Sequence, residues 1–159
     1  MMNKLITALF VVILSLEGLA QQQYSTQLIN VSEQQLANTV GWVSYVDNPD
    51  FKIEFQFIDC DPVIGYDSES VVLRVTNKTL TPQTISWHAH LHYDGVCKTC
   101  DYPEEYYHEL HMKPKQEVAG ECDIYSENSL KIFSKFIDKN YKKGEKLTAF
   151  QLARLRSTK

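Results

Sequence analysis

After Trp42 the apolar side chains of this chain fall at every second position, in one short run after another, with turn residues between the runs. A period of two buries one face of an extended strand, whereas a helix needs a period of 3.6. Phe51, Ile53, Phe55 and Phe57 alternate with Lys52, Glu54 and Gln56, directly after the turn Asn48-Pro49-Asp50. Ser70-Val-Val-Leu-Arg-Val-Thr76 is the next run, and residues 84–93 form the third. Residues 106–112, 117–122, 130–137 and 147–155 complete the series. The stretch 130–137 is rich in aromatic and β-branched residues, which favour strands. The stretch 147–155 is more ambiguous, since Ala149, Leu152 and Ala153 also suit a helix. Seven strands between residues 51 and 155 predict an all-β fold. Strand number and length match an antiparallel sandwich of the immunoglobulin or fibronectin kind, over residues 42–157, with Trp87 as the buried tryptophan of its third strand.

The chain opens differently. One lysine, Lys4, precedes the apolar run LITALFVVILSL, and Gly18-Leu19-Ala20 puts small residues where a signal peptidase cuts. That run is too short for a comfortable bilayer span, which takes about 20 residues. Residues 1–20 are expected to be a secretory signal, leaving a secreted or periplasmic product that does not span a membrane. Residues 21–41 are polar and Gln-rich, and are expected to be a loose lead-in or a short helix opened by Ser32 and Gln35 as a capping box.

Four cysteines, Cys60, Cys97, Cys100 and Cys122, follow the leader. An even number in an exported chain favours two disulfides. If the strands run up and down as in a sandwich, all four cysteines gather at one pole. Cys60–Cys122 with Cys97–Cys100 is then the leading pairing, and the two crossed pairings stay open. A redox Cys-x-x-Cys ordinarily opens a helix in an α/β fold, and a four-cysteine zinc site suits a reducing compartment better than an oxidising one.

The net charge of -4 leaves no basic stripe for phosphates, which argues against a nucleic-acid partner. Lysines and arginines gather after Lys131, but Asp138 and Glu145 interrupt them, as on a solvated face. Neither a Gly-x-Ser-x-Gly nor a phosphate-cradling glycine loop occurs, so the chain is not expected to be an enzyme. Asp59, Asp61, Asp67 and Glu69 could ligate calcium from a loop, without the spacing of an EF-hand. Asn30-Val-Ser32 and Asn77-Lys-Thr79 fit the glycosylation sequon.

The chemically richest stretch is Trp87-His-Ala-His-Leu-His-Tyr93. One face of this strand carries Ile85, Trp87, Ala89, Leu91 and Tyr93; the other carries Thr84, Ser86, His88, His90, His92 and Asp94. The histidines therefore point away from the core. A hairpin across 95–104 would set His88 opposite His111, His90 opposite Glu109 and His92 opposite Tyr107, with Tyr106, His108, Leu110 and Met112 facing inward. Opposed side chains lie roughly 4.5–5.5 Å apart at Cβ. In that register His88, His90, His111 and Glu109, with His92 nearby, form a candidate zinc or copper site. The competing readings are a polar strand surface and a pH-sensing one.

Tyr93-Asp-Gly-Val-Cys-Lys-Thr-Cys100, together with Gly120-Glu-Cys122 and Leu130-Lys-Ile-Phe-Ser-Lys-Phe136, resembles a group of small exported bacterial proteins with a signal peptide and an immunoglobulin-like β-sandwich domain. The likeness covers most of residues 50–156 and implies an exported bacterial sandwich. The histidine run is not among its motifs, so it implies no ligand and no functional residue. The expectation is a disulfide-stapled sandwich with a binding or structural role. Its partner would be a protein or glycan, held by one sheet face or by the loops opposite the cysteine pole, with zinc or copper binding as the alternative.

Overall fold

The computed structural model describes residues 21–31, 41–60, 67–122, 129–138 and 144–159. The expected leader, the capping box at Ser32 and Gln35, and Asp61 lie outside the described residues. The described chain is all strand and loop: β1 (Gln22–Gln23), β2 (Ile29–Asn30), β3 (Val43–Asp47), β4 (Phe51–Cys60), β5 (Ser68–Asn77), β6 (Gln83–Tyr93), β7 (Val96–Cys97), β8 (Tyr107–Met112), β9 (Glu117–Ala119), β10 (Lys131–Phe136) and β11 (Leu147–Thr158). All seven alternating stretches are strands, and β1, β2, β3 and β7 are additional to them.

Two antiparallel sheets form. In the first, β11 and β6 pair along their lengths; β1 and β2 share the free side of β11, and β7 and β8 share the free side of β6. In the second, β3, β4 and β5 lie in order, and β9 and β10 share the far side of β5. Their apolar faces close on one core. Phe51, Ile53, Val71, Leu73 and Val75 of the second sheet meet Ile85, Trp87, Phe150, Leu152 and Leu155 of the first. Phe150 stands edge-on to Phe55 with ring centres 5.4 Å apart, and burying a side chain of this size stabilises by roughly 1.5–3 kcal/mol.

β11 is a strand, which settles the ambiguity at 147–155. Bulges between Leu147 and Ala149 and between Ala153 and Arg156 break its alternation, and Arg154 takes a positive φ of 51°. Leu147, Phe150, Leu152 and Leu155 pack in the core, whereas Ala149 and Ala153, opposite His92 and His88, are buried on the outer face.

Residues 22–31 correct the loose lead-in. They run along the outer side of β11 as an edge strand. The Tyr24 amide donates to the Leu155 carbonyl and the Val31 amide to the Thr148 carbonyl, each at 2.8 Å. Thr26 Oγ1 donates to the Leu152 carbonyl at 2.9 Å, and Tyr24, Ile29 and Val31 pack on the core.

Cys60 pairs with Cys122 and Cys97 with Cys100, at Cα separations of 5.4 and 5.7 Å, normal for disulfides. Asn77 is fully buried, and its Nδ2 donates to the carbonyls of Thr81 and Lys113 at 2.9 Å each. The Asn77-Lys-Thr79 sequon is therefore closed to modification in the folded chain, whereas Asn30 is exposed.

Candidate functional site

The alternation of β6 holds: Ile85, Trp87 and Ala89 are buried, and His88, His90 and His92 lie half-buried on the opposite face. The histidines are covered in part because β8 and β7 fill one side of β6 and β11 the other.

The register with β8 differs from the expected one by four residues. His111 stands opposite Thr84, Glu109 opposite Ser86, and Tyr107 opposite His88. A shift by an even number keeps every side chain on its expected face, so Met112 is buried, and Tyr106, His108 and Leu110 are half-buried as the inward set. The cause is the turn Asp94-Gly95, where both residues take positive φ, 49° and 83°. This two-residue hairpin turn folds β7 straight back on His92 and Tyr93. β8 is thereby left only with residues 83–88 of β6.

The expected metal set is consequently divided. His111 Nδ1 lies 2.9 Å from Thr84 Oγ1, and His111 Nε2 lies 3.2 Å from Glu109. The Glu109 carboxylate also accepts from the Tyr107 hydroxyl at 2.6 Å. His88 donates from Nδ1 to the Pro103 carbonyl at 2.9 Å, its ring 5.3 Å from that of Tyr107. His90 faces Gln151 of β11. Burial, and then the charges of His88, Arg154 and His92, hold the His90 imidazole below its ordinary range, so it is neutral at pH 7. The inward His108 is likewise held low, by burial first and by His88 second, and lies 5.6 Å from the Trp87 ring.

His92 has a different neighbour. It stands directly across from Cys97. Among the described residues, the ligand atoms of His92, Cys97 and Cys100 form the one group of three His, Cys, Asp or Glu donors lying within 4.8 Å of one another. The sequence signal for this grouping was the Asp-Gly turn, which fixes β7 against β6. The lysines Lys131 and Lys135 do not flank the histidines, because β10 belongs to the other sheet. Of the proposed calcium acids, Glu69 is engaged by Ser134 Oγ at 2.8 Å and by Lys135 at 3.8 Å.

Tyr107 stands opposite His88, whereas Val96 stands opposite Tyr93 and shares that residue's face. Val96, Tyr102 and Tyr107 are 59, 58 and 42 % exposed, and all three come from the segment between β6 and the middle of β8. A shallow concavity of about 550 Å³ opens at the far end of β6, beside Thr84, His111, Met112 and Lys113. No protein-family model, no curated protein and no solved structure matches this chain.

Proposed function

We propose that the chain is an exported bacterial β-sandwich of the immunoglobulin/fibronectin type, stapled by two disulfides, that binds a protein or glycan partner and is not an enzyme. The strand order supports the fold assignment. β4, β5 and β10 lie as strands A, B and E do in such sandwiches, and β6 and β11 as C and F. The place of the last strand is taken by residues 22–31, supplied from the N-terminal end. Cys60–Cys122 departs from the disulfide that joins strands B and F in antibody domains.

The observation that carries the binding role is the face formed by β6 and β8, where the exposed Tyr107 stands opposite His88, with His90 and His92 further along the same face of β6. Tyrosines offer large, rigid contact area with few rotors, and recognition surfaces are enriched in them. Export is testable by expressing the chain with residues 1–20. The expected product starts at Gln21, lies outside the cytoplasm and is four hydrogens lighter than the reduced chain. The binding face is tested in the same cells by a photo-crosslinking residue at position 107 against one at Lys52, on the outer face of the second sheet. Adducts at 107 and none at 52 support the reading, and equal labelling removes it.

The second reading, zinc or copper binding, is favoured by the group of His92, Cys97 and Cys100. In that reading it replaces the set His88, His90, Glu109 and His111.

A further inference from the structure

A disulfide ordinarily removes its two sulfurs from metal chemistry, because thiolates, not disulfide sulfurs, are good ligands. Cys97 and Cys100 differ from Cys60 and Cys122 in their company. Among the described residues, only the Cys97–Cys100 pair forms a donor group with an imidazole, that of His92, whose nitrogen lies within 4.8 Å of both sulfurs. All three residues are half-buried and reachable from solvent, whereas Cys60 is buried.

The loop that carries the pair is also held by hydrogen bonds. Lys98 donates from its amide to the Leu91 carbonyl at 2.8 Å. Thr99 Oγ1 donates to the Ala89 carbonyl at 2.6 Å and accepts from the Leu91 amide at 2.8 Å. The Tyr102 amide donates to the Thr99 carbonyl at 3.1 Å. On the other side of the turn, the Gly95 amide donates to Thr148 Oγ1 and the Asp94 amide to the Lys146 carbonyl, each at 2.9 Å. The positive charge between the cysteines is compensated, since Lys98 Nζ is 2.7 Å from Glu145. These hydrogen bonds do not involve the cysteine sulfurs and remain available to hold the loop beside His92 when the disulfide is opened.

We infer that His92, Cys97 and Cys100 form a redox-gated site for a thiophilic cation, closed as the disulfide and opened by a dithiol reductant. One thiolate of the reductant attacks a cysteine sulfur, the Cys97–Cys100 bond breaks and a mixed disulfide forms. The other cysteine leaves as its thiolate. The second thiol of the reductant then attacks the reductant's own sulfur in the mixed disulfide, the attacked cysteine is released, and the reductant leaves as its own disulfide. Two electrons and two protons have passed to the chain. A zinc ion displaces the two thiol protons into solvent and takes the lone pair of the His92 imidazole. Two thiolates and one imidazole leave a fourth position open for water or a small ligand, and the same soft donors suit monovalent copper. This inference rests on the second reading above, to which it adds the redox gate, and does not depend on the partner-binding face.

The test uses the oxidised chain from Gln21 to Lys159 and the same chain reduced under anaerobic conditions. Mass spectrometry after thiol alkylation confirms that Cys97 and Cys100 are free and Cys60–Cys122 intact, and the probe is zinc alone, titrated against a chromophoric chelator. The expected result is one zinc per reduced chain, none in the oxidised chain, and at least tenfold weaker binding in reduced His92→Ala. Cobalt in place of zinc should give a thiolate charge-transfer band. The double variant Cys60→Ala/Cys122→Ala should bind zinc like the parent after reduction, and should this variant fail to fold, reduced His92→Gln carries the test. Equal zinc binding by the oxidised chain, no binding by the reduced chain, or binding indifferent to His92 would overturn the inference.

Discussion

Thr99 Oγ1 donates a 2.6 Å hydrogen bond to the carbonyl of Ala89 and itself accepts one from the Leu91 amide at 2.8 Å. One hydroxyl thus stands in for a neighbouring strand along the part of β6 that β8 does not reach. Thr99 is 3 % exposed, so Thr99→Val leaves a buried carbonyl and a buried amide unpaired. The expected cost is about 1–3 kcal/mol, read as a lower urea midpoint with an unchanged slope. Thr99→Ser keeps the hydroxyl and should lie much closer to the parent; equal losses in the two variants would refute the strand-substitute role.

Glu54 is 6 % exposed on the outer face of β4, yet it is held as a carboxylate. Burial pushes its pKa up, but hydrogen bonds from Lys52 and Arg74 outweigh that and hold it below the usual range. Both cations approach within 2.6 Å, and Arg74 is itself stacked 4.4 Å from the centre of the Trp42 ring. A depressed folded pKa means that the unfolded chain takes up the proton first. The stabilisation is thus present above the unfolded value of about 4.3 and is lost as pH falls through the lower folded value. Glu54→Gln should flatten this acid limb of the stability profile. Glu54→Ala should cost more at pH 7, about 3 kcal/mol, since it strands two cations. An acid limb that is unchanged in Glu54→Gln would assign it to other groups.

Gly120 sits where β9 gives way to the chain entering β10. Its amide donates to the Leu73 carbonyl at 2.9 Å, and the Leu73 amide donates to the Leu130 carbonyl at 2.8 Å. A Cβ at position 120 would overlap the Leu130 carbonyl oxygen and lie 2.8 Å from its carbon. Neither atom can rotate away, because both are backbone. Gly120→Ala is expected to cost about 1–3 kcal/mol by overpacking and to speed hydrogen exchange at the Leu73 amide. Exchange at Leu73 that matches the parent would show that the close approach relaxes freely.

What the sequence made legible follows from which pattern each residue obeyed. Phe51 to Phe57 and Ile85 to Leu91 alternate cleanly, so their strands and inward faces could be read directly. β11 was harder because Ala149 and Ala153, on the outer face opposite His92 and His88, are apolar neighbours of the inward Phe150 and Leu152, and together they imitate a helical spacing. The edge strand at 22–31 escaped because an edge strand over one rim of the core buries little, here Tyr24, Ile29 and Val31. The histidine site failed on offset. Alternation fixes which face a residue occupies and is silent on an even slip, and the Asp94-Gly95 turn that decides the offset was read as part of a longer loop. The grouping of His92 with Cys97 follows once that turn is placed.

The N-terminal edge strand is the part of the fold most open to a direct test. β11 pairs along its length with β6, and among the described residues its other side is covered by residues 22–31. Side-chain anchors hold the cover: Tyr24 stands edge-on to Phe51 with ring centres 4.9 Å apart. The Tyr45 hydroxyl donates to the Gln27 carbonyl at 2.9 Å and accepts from the Leu152 amide at 3.0 Å. Gln151 Nε2 donates to the Thr26 carbonyl at 2.9 Å. Tyr24→Ala should therefore cost roughly 1–3 kcal/mol. Removing residues 21–31 should uncover a long unpaired edge, which templates pairing between chains, so the truncated protein is expected to self-associate in sedimentation velocity. A synthetic peptide QQQYSTQLINV added in trans should restore the monomer by adding its strand to β11, and the same peptide with alanine for Tyr24 should do so less well. A truncated chain that stays monomeric and as stable as the parent would show that these hydrogen bonds contribute nothing net to the fold.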